Sequence, residues 1–326
     1  MSCTPVASLL AGRKSVCVTG GAGFIGSWVV NRLLSLGHVV TVLDDLSSAG
    51  RPPPRTEGLR FVHGSVLEPA AIDDATRGAD MLIHLAGIVG MRLAKAERQR
   101  ALRVSVEGTE LLLARTPAIP VVLASSSAVY GLTAVLAAAE YMGGPEERAL
   151  EYDGGQVGYA TGKWRMEELG RRAARPVMCV RPFNVVGPGQ ISTWGMVVPS
   201  FVERARAGSE LIVYNDGRQS RSFSFVGTFV DALLRAMSIP EAWSLPDRAL
   251  NIGAPTATSI IDLARLVITR TESTSSIVHM PYEVVFPNCR DLAARTPDTT
   301  RLTSLIGSVE WPSLERIVDI VIDGTR

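Results

Sequence analysis

Ser15-Val16-Cys17-Val18-Thr19-Gly20-Gly21-Ala22-Gly23-Phe24-Ile25-Gly26 is the stretch that decides the fold. Five residues suited to a buried strand run straight into a glycine-rich turn, and apolar residues then recur at helical spacing from Ile25 to Leu36. Gly21, Gly23 and Gly26 satisfy a G-x-G-x-x-G spacing, while Gly20, Gly23 and Gly26 satisfy G-x-x-G-x-x-G. Glycines at such a junction permit a tight turn and let backbone N–H groups approach a phosphate at the helix N-terminus. Gly37 stops the helix, and a second strand, Val39 to Leu43, ends in Asp44-Asp45. Asp44 lies 18 residues beyond Gly26, near the offset at which a carboxylate bonds a ribose hydroxyl. An acid there repels a 2′-phosphate, so the pattern predicts a dinucleotide site that prefers NAD to NADP. The bland alternative is a capping or turn aspartate pair.

Strand and helix signals go on alternating through the first half. Strands are expected at Leu59–Val62, Met81–His84, Val121–Ala124 and Val177–Val180, with helices between them, including Ala101–Arg115 and Tyr159–Ala174. This rhythm implies right-handed βαβ crossovers and a doubly wound parallel sheet covered on both faces, an α/β Rossmann-type fold. After Arg181 it loosens: Pro182, Gly187, Pro188, Gly189 and Pro199 break the pattern, and short helices mix with isolated strands. We expect an NAD-binding domain over residues 1–183, with a returning segment near 224–252. A smaller substrate-binding lobe is expected from 184–223 and 253–326.

Composition fits a globular enzyme: 46% of the 326 residues are hydrophobic, 20% charged, and the net charge of +1 gives no reason to expect nucleic acid or a membrane as partner. Residues 1–14 read as a loose leader and not a signal peptide. Cys3, Cys17, Cys179 and Cys289 show no paired metal spacing; Cys17 and Cys179 lie in apolar runs, as buried residues of a reducing, cytoplasmic protein. No metal site is expected. His84 reads as a satisfied core histidine, and His38, His63 and His279 form no constellation. Small residues in His84-Leu85-Ala86-Gly87 would let a flat cofactor lie at the strand end.

Tyr159-Ala160-Thr161-Gly162-Lys163 sets a phenol one helical turn from an ammonium. A nearby cation favours the charged form of a phenol, so such a pair can take a proton from a sugar or alcohol hydroxyl near neutral pH. Lysine occurs only three times in the chain, at positions 14, 95 and 163, which makes Lys163 less easily filler.

With these residues in view, the chain resembles the extended short-chain dehydrogenase/reductase family, in particular its NAD-dependent nucleotide-sugar epimerases and dehydratases of the UDP-glucose 4-epimerase kind. The motifs that carry the resemblance span nearly the whole chain: TGGAGFIG (19–26), VLDDL (42–46), HLAG (84–87), SSSAVYG (125–131), YATGK (159–163), RPFNVVGPGQ (181–190), RQSRSF (218–223) and NIG (251–253). The resemblance implies that Ser126 hydrogen-bonds the reacting hydroxyl, Tyr159 is the base and Lys163 binds the nicotinamide ribose. It implies NAD contacts at Gly20, Gly23, Phe24, Ile25, Gly26, Asp44, Asp45, Ser65, Val66, Leu85, Ala86, Gly87 and Ser125. It implies substrate contacts at Ser126, Ser127, Asn184, Val198, Tyr214, Arg221 and Arg290, with Tyr214 packing on the nucleotide base and Asn184 and Arg221 on the diphosphate. A UDP-sugar and a second copy of the chain, in a homodimer, are the partners it implies.

Sugar dehydratases of the family carry an Asp-Glu pair in the serine motif, and hexuronate decarboxylases a glutamate just before its VYG. Here Ser127-Ala128 stand there without a carboxylate, which favours oxidation and return of hydride, and so epimerisation at C4 through a 4-keto sugar. A keto-sugar reductase or dehydrogenase with net cofactor turnover, or a non-catalytic NAD-binding scaffold, are the alternatives. Departures from the family pattern lie at Ser65 after Gly64, at Ser105, at Gly154 to Gly158, at Gly227-Thr228, and at Asn288-Cys289-Arg290-Asp291. Arg295, three residues before Asp298, either reaches substrate or supports the lobe.

Overall fold

Every strand of the main sheet runs the same way. The computed structural model describes residues 10–48, 51–90, 93, 96–131, 156–287 and 291–324. Along the first half come β1 (Ser15–Thr19), α1 (Phe24–Ser35), β2 (Val39–Asp44), β3 (Leu59–His63), α2 (Pro69–Thr76), β4 (Met81–His84), α3 (Arg98–Arg115), β5 (Val121–Ala124), α4 (Gln156–Arg172) and β6 (Val177–Pro182). The second half adds β7 (Val185–Val186), α5 (Val197–Arg206), β8 (Leu211–Tyr214), β9 (Ser220–Ser222), β10 (Ser224–Phe225), α6 (Val226–Met237), β11 (Ala249–Ile252), β12 (Ala257–Ser259), α7 (Ile260–Arg270), β13 (Ile277–Met280), α8 (Tyr282–Val285), β14 (Ala294–Arg295), α9 (Thr300–Ile306) and α10 (Leu314–Gly324).

Seven parallel strands form the central sheet in the order β11-β6-β5-β4-β1-β2-β3. The order reverses between β1 and β4, and ligands of such sheets bind outside the carboxyl ends at that point. One apolar cluster packs α1 and α6 on one face, and another packs α2, α3 and α4 on the other. Both faces are therefore dry, which is why β1, β4 and β5 read as unbroken apolar runs. Cys17 and Cys179 are buried free thiols in the second cluster, and burial pushes Cys17 up to about 12. Neither is a reactive thiolate.

The strands after β6 are not isolated, as the sequence suggested, but pair into three small sheets: β10-β7, β12-β9-β14 and β13-β8. Several are two or three residues long, too short to show a period of two. Their own core gathers α5, α7 and α10 around Phe201, Leu211, Leu263 and Val318. The seventh strand of the main sheet, β11, was also missed; Ala-Leu-Asn-Ile carries no signal distinguishing it from a loop end, and its pairing with β6 is what fixes it. Among the described residues, no helix is long and apolar enough to cross a membrane.

Candidate functional site

The glycine turn is built by contact. Gly20 has φ +71°, and a Cβ there would lie 2.6 Å from the Ala86 nitrogen at the end of β4. A Cβ on Gly26 would strike the Gly20 carbonyl and stand 2.7 Å from the Gly21 Cα. Gly20 N–H donates to Leu43 O at 2.8 Å, and Ala22 N–H to Asp44 Oδ2 at 3.0 Å, tying the turn to β2. No side chain caps the N-terminus of α1, whose N-cap is Gly23. Its first N–H groups thus stay available, and with the macrodipole they favour a pyrophosphate. These features fit a dinucleotide.

Asp44 also accepts from Leu46 N–H at 2.8 Å, and burial raises its carboxyl above the ordinary range despite these bonds. It therefore serves the turn as well as facing the cleft. Burial works against ionisation of Asp45 too, but Ser47 and the Arg100 guanidinium outweigh it and hold that carboxyl low.

On the far side of β4 the serine loop leaves β5. Ser126 caps a single 3₁₀ turn, Ser127–Tyr130, its Oγ accepting from Ala128 N–H at 3.1 Å. The Ser126 side chain shares the cleft with the Tyr159 phenol and favours its charged form. Lys163 is buried and donates from Nζ to Ala124 O at 2.7 Å, with its Nζ 6.0 Å from the Tyr159 ring centre. A Cβ on Gly87 would come within 3.1 Å of that Nζ, so the small residue lets the lysine reach the strand end. Gly162 packs on Ser105 of α3, where a Cβ would sit 3.2 Å from the serine Cβ. The small Ser105 suits that close helix contact.

The cation one turn away was expected to draw the Tyr159 phenol toward its charged form. Burial instead raises the phenol above its ordinary value, with only the Ser126 hydrogen bond pulling down. Lys163 is itself lowered to about 8 by burial, against the pull of Glu167. The ammonium points at a carbonyl, and desolvation wins. His84 is satisfied on one side only: Nδ1 pairs with Thr19 Oγ1 at 2.7 Å, while Nε2 has no partner among the described residues. Burial, aided by the Lys163 charge, lowers it to about 3, so it stays neutral.

A single cleft of about 830 Å³ runs over these groups. Its walls include Gly20, Gly23, Phe24, Ile25, Gly26, Asp44, Asp45, Ser65, Val66, Leu85, Ala86, Gly87, Ser125, Ser126, Ser127, Tyr159, Lys163, Asn184, Val198, Tyr214 and Arg221. Arg290 lies outside the described residues, as do Gly154 and Gly155. Asn184 has φ +35°, and its Nδ2 donates to Ser222 O at 2.9 Å. Arg221 is not a solvated surface charge: it pairs with Asp291 at 2.8 Å and donates to Leu292 O. Tyr214 makes edge contacts with Tyr282 and Phe286, which also line the cleft.

Arg100, Asp291, Tyr282, Phe286 and Arg295 also line the cleft, and the first four belong to no motif that marks them in the sequence. Arg295 is the register partner of Arg221 between β14 and β9, lines the same cleft, and donates from Nη2 to Gly131 O at 2.7 Å. That pairing brings two arginines side by side from positions 74 residues apart. No local pattern could have announced it.

A reversed parallel sheet, an uncapped glycine turn and a serine–tyrosine–lysine group on one cleft define a dinucleotide-dependent enzyme of the short-chain dehydrogenase type. The sequence profile of the NAD dependent epimerase/dehydratase family matches residues 16–253, and the chain belongs to that family. A UDP-N-acetyl-alpha-D-glucosaminuronate decarboxylase of Bacillus cytotoxicus is 30% identical over 311 residues, covering 90% of this chain and 92% of its own. A probable UDP-glucuronate 4-epimerase of Rhizobium meliloti is 29% identical over 246 residues, 69% of this chain and 68% of that protein. The structure of MoeE5 in complex with UDP-glucuronic acid and NAD superposes with a TM-score of 0.80 at 27% identity, covering 95% of this chain and 98% of that one. The chain is an NAD-dependent enzyme that modifies a nucleotide sugar.

Proposed function

We propose that the enzyme oxidises the C4 hydroxyl of a UDP-hexuronic acid and returns the hydride to the opposite face, giving the C4 epimer. The observation that carries this is the convergence of Ser126, Tyr159 and Lys163 on one cleft, with Ala128 where a carboxylate would serve elimination. Bound NAD supplies the hydride acceptor and donor, and a positive charge beside the phenol. Tyr159 takes the C4 hydroxyl proton, Ser126 bridges the two oxygens, and Lys163 holds the nicotinamide ribose. The carboxylates of the cleft among the described residues are Asp44 and Asp45 at the adenosine end and Asp291 against Arg221. None of them adjoins the phenol in the hydrogen-bond pattern, so no carboxylate among the described residues is placed to run a second acid–base step there. Arg221 and Asn184 hold the diphosphate, leaving the sugar free to turn about that anchor.

A carboxylated sugar is supported by relatives named for UDP-glucuronic acid or its N-acetylglucosamine counterpart, and by MoeE5, which holds UDP-glucuronic acid. Arg295 gives the cleft a second guanidinium beside Arg221 for such a group. The decarboxylase relatives favour a second reading. A C4 ketone makes the C6 carboxylate a β-keto acid, which loses carbon dioxide to leave an enolate; a proton from water at C5 and return of the hydride to C4 then give a pentose with the same machinery. Incubating the purified enzyme with NAD and a panel of UDP-uronic acids and UDP-hexoses tests both. Epimerisation gives a product of unchanged mass with an inverted C4 proton coupling in NMR. A product lighter by carbon dioxide overturns epimerisation in favour of decarboxylation, and steady NADH accumulation overturns both.

A further inference from the structure

Behind the serine loop lies a buried polar cluster that none of these roles uses. Glu167 follows Lys163 by one turn of α4 and is fully buried. Its oxygens accept a bidentate pair from Arg181, at 2.8 Å from Nε and 2.7 Å from Nη2. Oε1 also accepts from Ser125 Oγ at 2.5 Å, and Oε2 from Arg171 Nη1 at 3.3 Å. Arg181 donates from Nη1 to the Tyr130 hydroxyl at 2.9 Å, which donates to Asn251 Oδ1 at 2.7 Å. Each contact leads to the site. Ser125 adjoins Ser126, Tyr130 ends the turn that Ser126 caps, and Arg181 stands on the strand that leads to Asn184. A buried ion pair adds little stability over apolar residues of equal volume, so what it positions is the more telling question.

We propose that Glu167 is a positioning residue for this site: its carboxylate anchors Ser125 and Arg181 while sharing a helix face with Lys163, so one buried charge both fixes the serine loop and keeps the lysine an ammonium. This rests on the roles of Ser126 and Lys163 given above. Among the described residues, the groups acting on Lys163 are Tyr159 and Glu167 from its own helix and His84 at the end of β4. Arg171 and Arg181 face it only through Glu167. His84 stays neutral, and burial lowers Lys163 while Glu167 raises it, so losing Glu167 removes the opposing charge. The lysine then gives up its proton at a lower pH.

With three lysines in the chain, NMR of isotope-labelled lysine side chains yields three titrating signals, and Lys163→Arg assigns one of them. In Glu167→Gln the Lys163 midpoint falls by about one pH unit, the scale of a close opposite charge; Glu167→Asp restores most of it. The alkaline limb of kcat moves with the midpoint, while KM changes little. If Glu167→Gln does not fold, the paired change Glu167→Leu with Arg181→Met removes the carboxylate together with its buried bidentate partner, leaving only the partly exposed Arg171 without it, and the same titration is read. A Lys163 midpoint unchanged in both charge-removing variants overturns the proposal. The titration needs no substrate, so it is decided even where no sugar of the panel turns over, an outcome that would count against the proposed reaction alone.

Discussion

Gly26→Ala is the sharpest test of how the nucleotide turn works. The new Cβ would strike the Gly20 carbonyl and lie 2.7 Å from the Gly21 Cα, and both obstacles are backbone. Neither can rotate away, so the turn must retreat from α1 by more than half an ångström. Overpacking of this kind costs about 1–3 kcal/mol of stability. The larger effect falls on NAD, because the moved turn lines the cleft beside the uncapped N–H groups at the start of α1. Losing one charge-assisted hydrogen bond to a phosphate costs about 1.5–3 kcal/mol, or roughly 10- to 150-fold in Kd. Isothermal titration with NAD reads the affinity, and urea unfolding the stability. Gly37→Ala is the control: its φ of +84° strains an alanine, but no atom lies within 4 Å of the added Cβ. It should cost about 1 kcal/mol of stability and leave NAD affinity unchanged. If Gly26→Ala binds NAD as tightly as the parent, the idea that this close approach shapes the phosphate site is wrong.

Further outcomes follow from the same geometry. Tyr159→Phe keeps the ring but loses the hydroxyl that shares the cleft with Ser126; turnover should fall about 10²- to 10⁴-fold with NAD affinity intact, and undiminished turnover would exclude Tyr159 as the base. Activity that needs the Lys163 ammonium should be present below pH 8 and decline as pH rises through about 8; a profile flat to pH 10 would remove that requirement. The unfolded lysine holds its proton to about 10.5, so the unfolded chain binds more protons between about 8 and 10.5. The contribution of this group to stability therefore rises with pH across that window, as unfolding at graded pH would show. Arg221→Gln removes a cleft guanidinium and its bond to Asp291; KM for the nucleotide sugar should rise about 10- to 100-fold at nearly unchanged NAD affinity, and an unaltered KM would place the diphosphate elsewhere.

The departures from the family pattern acquire physical content in the fold. Ser105 is small where Gly162 of α4 comes closest, so α3 and α4 meet at a serine. Gly227 lies against the Phe225 ring, where a Cβ would come within 2.7 Å, so the glycine fits the start of α6. The first contact does not show in a single chain of letters, because Ser105 and Gly162 lie on different helices far apart in sequence; the second is local, with Trp28 of α1 as the distant neighbour beside it. Asp44 was legible as the acid closing the second strand, but not its bond to the Ala22 N–H, which depends on β1 and β2 lying side by side.

The sequence by itself determined the sheet's beginning and the chemistry of its edge. A strand, a glycine turn and a helix in direct succession are a local construction, set by sterics within a dozen residues. The four-residue spacing of Tyr159 and Lys163 likewise needs only helical geometry. Tertiary structure alone decided which way those groups are tuned: enclosure by β4, β5 and the serine loop raises the phenol and lowers the lysine, through desolvation that no spacing encodes. It also decided that Arg295 stands beside Arg221 and that Glu167 meets Arg181. Short strands and buried ion pairs are fixed by partners from elsewhere in the chain, and their free energy exists only once those partners have come together.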